Sequence, residues 1–96
     1  MLGKIRRVVL DTLKPMEPTI LELAKQISVQ EGVSAVNISI VEIDRKVENA
    51  KITVEGDDIN YEELAGLIQD LGGSIHSIDE VVAGKMIIDD AVTLQD

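Results

Sequence analysis

Gly72-Gly73-Ser74-Ile75-His76-Ser77-Ile78-Asp79-Glu80-Val81-Val82-Ala83-Gly84 decides how the chain is read. Paired glycines let a chain leave a helix through left-handed dihedrals, and the branched residues that follow suit a pleated, half-buried surface. The stretch therefore reads as a helix stop followed by the last strand of a sheet. It also carries the only histidine.

Just upstream lies the clearest local signal, a helix start with Asn60 as N-cap, Glu63 as its capping-box partner and Ile59 stapled to Leu64. Leu64, Ala65, Leu67, Ile68 and Leu71 carry that helix to the glycines. Before it, Ala50, Ile52 and Val54 alternate with Asn49, Lys51, Thr53 and Glu55, and Val36, Ile38 and Ile40 alternate with Asn37 and Ser39. Alternation of period two marks half-buried strands. The charged run Glu42–Glu48 reverses the chain between them, making a hairpin. Strict alternation puts Val41 and Ile43 on the polar face of the first of these strands.

Further back, Ile20, Leu21, Leu23, Ala24 and Ile27, extended by Val29, form the apolar stripe of a first helix that Gly32 ends. Pro18 suits its first turn and Glu17 its positive end, while Pro15 and Pro18 stop extended pairing. Lys4 to Leu13 reads as the first strand, placed centrally because Val8-Val9-Leu10 runs without alternation. Past Gly84, Lys85-Met86-Ile87-Ile88 is apolar enough for another short strand, pairing with its own sheet or with a neighbouring subunit's.

The order strand, helix, strand, strand, helix, strand predicts an α+β, ferredoxin-like βαββαβ sandwich. Both helices lie on one face of an antiparallel sheet of order 4-1-3-2. Ninety-six residues give a single domain, 1–96, with 85–96 as a C-terminal extension.

The run Gly72–Gly84, taken with Arg7–Pro15, Gly32-Val33, Val36-Asn37-Ile38, Glu42-Ile43-Asp44 and Gln95-Asp96, resembles a family of small, uncharacterised archaeal proteins with a ferredoxin-like fold. The resemblance spans nearly the whole chain. It implies no established activity. It does imply ring-like homo-oligomers, sometimes with a bound divalent cation. The span from Gly32 through the second helix is also similar to the heavy-metal-associated domains of copper chaperones, whose Cys-x-x-Cys this chain lacks.

Composition narrows the function classes. Eighteen acids against nine bases give a net charge of −9, which repels phosphate backbones and disfavours nucleic acid as a partner. Tyr61 is the only aromatic, so no stacking platform for single strands exists either. The absence of cysteine excludes disulfides and thiolate chemistry and agrees with a reducing compartment. No segment is long and apolar enough for a signal peptide or a membrane span, so no membrane partner is expected and the location is expected to be cytoplasmic.

The topology gathers Asp11, Glu17, Glu42, Asp44 and Glu48 toward one end of the sheet, with His76 nearby. Carboxylate clusters suit hard cations such as Ca²⁺. Asp11, Glu42 and Asp44 are accordingly the candidate metal ligands. The same acids also read as solvated charges bridged to Arg45 and Lys46. Asp57-Asp58-Ile59-Asn60 lacks the spacing of an EF-hand loop and reads as a helix entry.

His76 reads as an interface or ligand-contacting residue. Alternation puts Ser74 and His76 on one face and Ser77 on the other, with Asp79 and Glu80 also opposed, so no catalytic residue is assigned. Gly72-Gly73 lacks the strand-first spacing of a phosphate loop, and no cofactor-binding residue is assigned. The sheet face away from the helices must meet water, a ligand or another subunit, and with Val41 and Ile43 on it the expectation is assembly. The leading reading is a non-enzymatic cytoplasmic homo-oligomer that binds a small ligand or divalent cation. The alternatives are an enzyme with an inter-subunit site using His76 and Asp11 or Asp79, and a purely structural adaptor.

Overall fold

The computed structural model describes residues 2–88. Its elements are β1 (Ile5–Pro15), α1 (Ile20–Ser28), β2 (Val33–Asp44), β3 (Val47–Gly56), α2 (Tyr61–Asp70) and β4 (Ser74–Ala83). The strands form one antiparallel sheet, β2-β3-β1-β4, which is the expected 4-1-3-2 order read from the other edge.

Register sorts the side chains into two faces, because residues paired across strands share a face and neighbours along a strand do not. Val8, Leu10 and Thr12 of β1 stand opposite Val54, Ile52 and Ala50 of β3, and Val36, Ile38 and Ile40 of β2 stand opposite the same three. Leu23 and Ile27 of α1, with Ile59, Leu64 and Ile68 at α2, join these residues in the core. With no Phe or Trp in the chain, the fully buried core is aliphatic, and Tyr61 packs against it partly buried. Each fully buried side chain of this kind stabilises by about 1.5–3 kcal/mol.

Both helices begin on side-chain caps. Asn60 accepts from the Glu63 backbone N–H as expected, but the return bond from Glu63 is not made, so the capping box there is half formed. The complete box belongs to α1, where Thr19 caps and Glu22 reaches back to the Thr19 N–H. Pro18 therefore precedes the cap instead of occupying the first turn. Val29, placed in the apolar stripe by spacing, is the C-cap of α1 and is exposed.

Gly72 ends α2 with φ of 92°, and the Gly73 N–H bonds back to the Ile68 carbonyl. Gly32 takes φ of 88°, and a Cβ there would collide with the Asp58 carbonyl. Two loops thus meet where a side chain would separate them.

Two expectations fail at irregularities that composition does not reveal. The β2–β3 register shifts between Ile40 and Glu42, which makes Val41 an extra residue. Beyond it Glu42 and Asp44 stand opposite Asn49 and Val47 on the open face, while Ile43 stands opposite Glu48 on the helix side. A one-residue bulge exchanges faces for everything after it, so Ile43 is not on the open face.

Lys85–Ile88 forms no strand. Gly84 turns the chain at φ of 129°, its N–H bonds to the Lys4 carbonyl and its own carbonyl accepts from Arg6 Nε. β1 begins at Ile5, opposite Ala83. Among the described residues no strand continues beyond Ile5 for the chain past Gly84 to pair with. The rest of the expected C-terminal extension, 89–96, lies outside the described residues.

Candidate functional site: the open face of the sheet

Alternate residues of each strand point away from the helices. On β1 these are Arg7, Val9, Asp11 and Leu13, flanked across β3 by Glu55, Thr53, Lys51 and Asn49. β4 contributes Val82, Glu80, Ser77 and Ser74 opposite the same four residues of β1. The face is mostly polar, which weakens the expectation of an apolar surface awaiting cover.

Arg7 organises one end. Its guanidinium donates to Glu55 at 2.7 Å and to Glu80 at 2.9 Å, tying β3, β1 and β4 together, and it reaches the Ile88 carbonyl at 3.3 Å. The carboxylates, Glu80 first and Glu55 next, hold the Arg7 pKa above its ordinary value. A raised basic pKa contributes stability that is present below the unfolded value and lost only above it. Arg7 therefore stays charged throughout the working range of pH. Sequence reading passed over this residue, since neither partner is near it in the chain.

Lys14 was also missed. It lies on the helix side of β1 with its side chain 2 % exposed, and Nζ donates to Glu48 and to the Pro15 carbonyl, both at 2.7 Å. Register places the two residues directly opposite. Glu48 is therefore a structural partner on the far face from Glu42 and Asp44. On the same side the Thr12 hydroxyl is buried without a hydrogen-bond partner among the described residues.

The candidate ligands are spread accordingly. Asp11 accepts from Asn49 Nδ2 at 2.8 Å. Glu42 stands two strands away and one pair further along, so their Cα atoms lie about 12 Å apart by strand geometry. Glu42 and Asp44 share a face near the hairpin turn, where Arg45, Lys46, Leu13, Val47 and Asn49 complete an open groove of about 650 Å³. Among the described residues Glu42 and Asp44 make no ion pair with Arg45 or Lys46, and no three acidic, histidine or cysteine side chains gather to hold a metal.

His76 is exposed and is the extra residue where the β1–β4 register shifts between Asp11 and Thr12. Because of that bulge Ser74 and Ser77 share the open face, contrary to strict alternation. Ser77 Oγ donates to Asp79 at 2.7 Å and leaves His76 out. No histidine–carboxylate or serine–histidine hydrogen bond exists among the described residues. No described helix is long and apolar enough to cross a membrane.

These observations define a ferredoxin-like α+β protein with a polar, unroofed sheet face and no assembled catalytic group among its described residues. Residues 6–96 match the model of a family described as "Uncharacterized ArCR". An uncharacterised protein of the archaeon Methanocaldococcus jannaschii is 50 % identical over 92 residues, covering 96 % of this chain and 95 % of that one. The chain belongs to this uncharacterised family.

Proposed function

We propose that the protein is a non-enzymatic, cytoplasmic homo-oligomer that binds a small ligand or a divalent cation. The observation that carries the assembly is where its exposed apolar side chains fall. Leu13 and Val47 share the open face at the hairpin end of the sheet, with Val41 at the bulge and Ile43 on the helix side of the same hairpin, and Met86, Ile87 and Ile88 follow Gly84 at the other end. Single exposed hydrophobics are ordinary, but contiguous groups mark interaction sites. β4 adds Ile78 and Val81 along an outer edge that is unpaired among the described residues.

Cation binding rests on less, namely the pair Glu42 and Asp44 at the groove, with Asp11 further along the same face. One pair of carboxylates supplies too few oxygens for Ca²⁺, which takes six to eight. Ligands from a second subunit would complete such a site. Light scattering in calcium and then in chelator, with calorimetric titration of calcium into the chelated sample, tests both parts. A defined oligomer is expected in calcium, with measurable heat that Glu42→Gln abolishes. A monomer under all conditions overturns the assembly, and an oligomer without binding heat overturns the cation site.

A further inference from the structure

We infer that the outer edge of β2, along Ala35–Ile40, pairs antiparallel with the same edge of a second copy about a two-fold axis at Asn37, a contact that deepens the assembly reading and rests on it.

The sheet ends in two outer strands, β2 and β4, and they are built differently. β4 carries extra residues at His76 and Asp79, which break its ladder with β1, and Glu80 adds a further charge. Bulges and charges are means by which an edge strand is kept from pairing with other chains. On β2 the register shifts fall at Ser34 and Val41, and the run between them pairs with β3 without a break. That run, Ala35-Val36-Asn37-Ile38-Ser39-Ile40, holds no charge and no proline. No strand lies along its outer side among the described residues. One edge is guarded and the other is open.

The pattern of the open run selects its own image as the occupant. An antiparallel pair about Asn37 sets Val36 against Ile38 on the helix side and Ala35 against Ser39 on the open side, so side chains meet others from their own face. At the axis Asn37 meets Asn37. A primary amide carries both donors and an acceptor and therefore complements itself. Asn37 is exposed, its Oδ1 accepts from Ser39 Oγ at 3.3 Å, and its amide N–H groups have no partner among the described residues. A neighbour's β4 is a poorer occupant, because its extra residues interrupt the ladder that the unbroken run offers. One isologous contact also covers the open edge of both copies at once, leaving guarded β4 edges at the ends of the joined sheet.

The chain has no cysteine, so an introduced thiol reports one contact. Residues directly opposite in antiparallel strands have Cα atoms about 4.5–5.5 Å apart, which a disulfide spans. Asn37→Cys alone should therefore form a disulfide dimer under mild oxidation, whereas Ala35→Cys and Ser39→Cys should cross-link only when mixed. His76→Cys, on the guarded edge, should stay monomeric on the same non-reducing gel. All four positions are exposed, so folding is expected to survive, with circular dichroism as the check. Asn37→Lys sets like charges against each other at the axis and should weaken the dimer about fivefold in a light-scattering concentration series. Asn37→Asp should do the same, and mixing the two variants should restore it, which no foreign strand would bring about. A wild-type oligomer whose Asn37→Cys variant gives no more disulfide dimer than His76→Cys overturns the edge pairing and leaves the assembly reading standing. A wild-type monomer at every concentration overturns both.

Discussion

The two faces of the sheet are drawn from the same strands, yet they are held by different physics. On β1, Val8 and Leu10 are sealed beneath the helices, and the residue between them, Val9, is 5 % exposed on a face that no described helix covers. In register Val9 stands between Thr53 and Glu80, with Arg7 and Asp11 before and after it on the same face. Aliphatic stems of polar side chains can bury an apolar one while their ends stay wet. One face excludes water by packing, and the other by an ordered polar layer. The first should be intolerant of lost volume and the second of lost connections.

The largest effect should come from the packed face. Ile52 is wholly buried at the centre of β3, between Leu10 and Ile38 in register. Ile52→Ala is expected to destabilise by about 2–5 kcal/mol through lost burial and a residual cavity, read by urea unfolding at constant slope. A loss below about 1 kcal/mol would mean that the two faces are not distinguished by packing.

Glu48 sharpens the comparison, because it is a polar connection on the packed side. Removing it with Glu48→Ala leaves the Lys14 ammonium buried beside only the Pro15 carbonyl, and a loss of about 3 kcal/mol is expected. The double variant Lys14→Met/Glu48→Leu should recover most of it, since paired apolar groups of similar volume often replace a buried ion pair without loss. If the double variant is no better than the single, the pair is needed to set the β1–β3 register.

How much of this was legible in sequence follows from the range of each signal. Helix stops at Gly32 and Gly72, the Asn60 cap and the alternation in β3 are local, and all were read correctly. The Thr19-x-x-Glu22 box was equally local but lay beside Pro18, which drew the helix start to itself. Faces were a harder matter. Val41 and His76 are extra residues that only the partner strand reveals, and each reassigns the side chains beyond it. Glu48 looked like one more hairpin acid because its partner Lys14 is far away in the chain and lysine is almost never fully buried. The acidic cluster of the sequence reading lost Glu48 for the same reason: register puts Glu48 on the helix side with Lys14, while Asp11, Glu42 and Asp44 stay on the open face.

The smallest effect, and the most discriminating, should come from the open face. Arg7→Ala breaks two carboxylate bonds and uncovers Val9, but its partners Glu55 and Glu80 can turn to water once released. Pairs at such partly exposed positions contribute ~0.2–1 kcal/mol each, so a total near 1 kcal/mol is expected. Arg7→Lys separates the two contributions. Lysine keeps a charge and an aliphatic stem but cannot hold two carboxylates with a planar fork. If shielding of Val9 dominates, Arg7→Lys should lie close to wild type in urea. If the bridge across β3, β1 and β4 dominates, it should lie close to Arg7→Ala, and raising the salt should narrow the gap to wild type. The second outcome is expected, because both bonds are short and the guanidinium side chain is only 16 % exposed. The first would make the open face a thinner version of the packed one, held by cover alone.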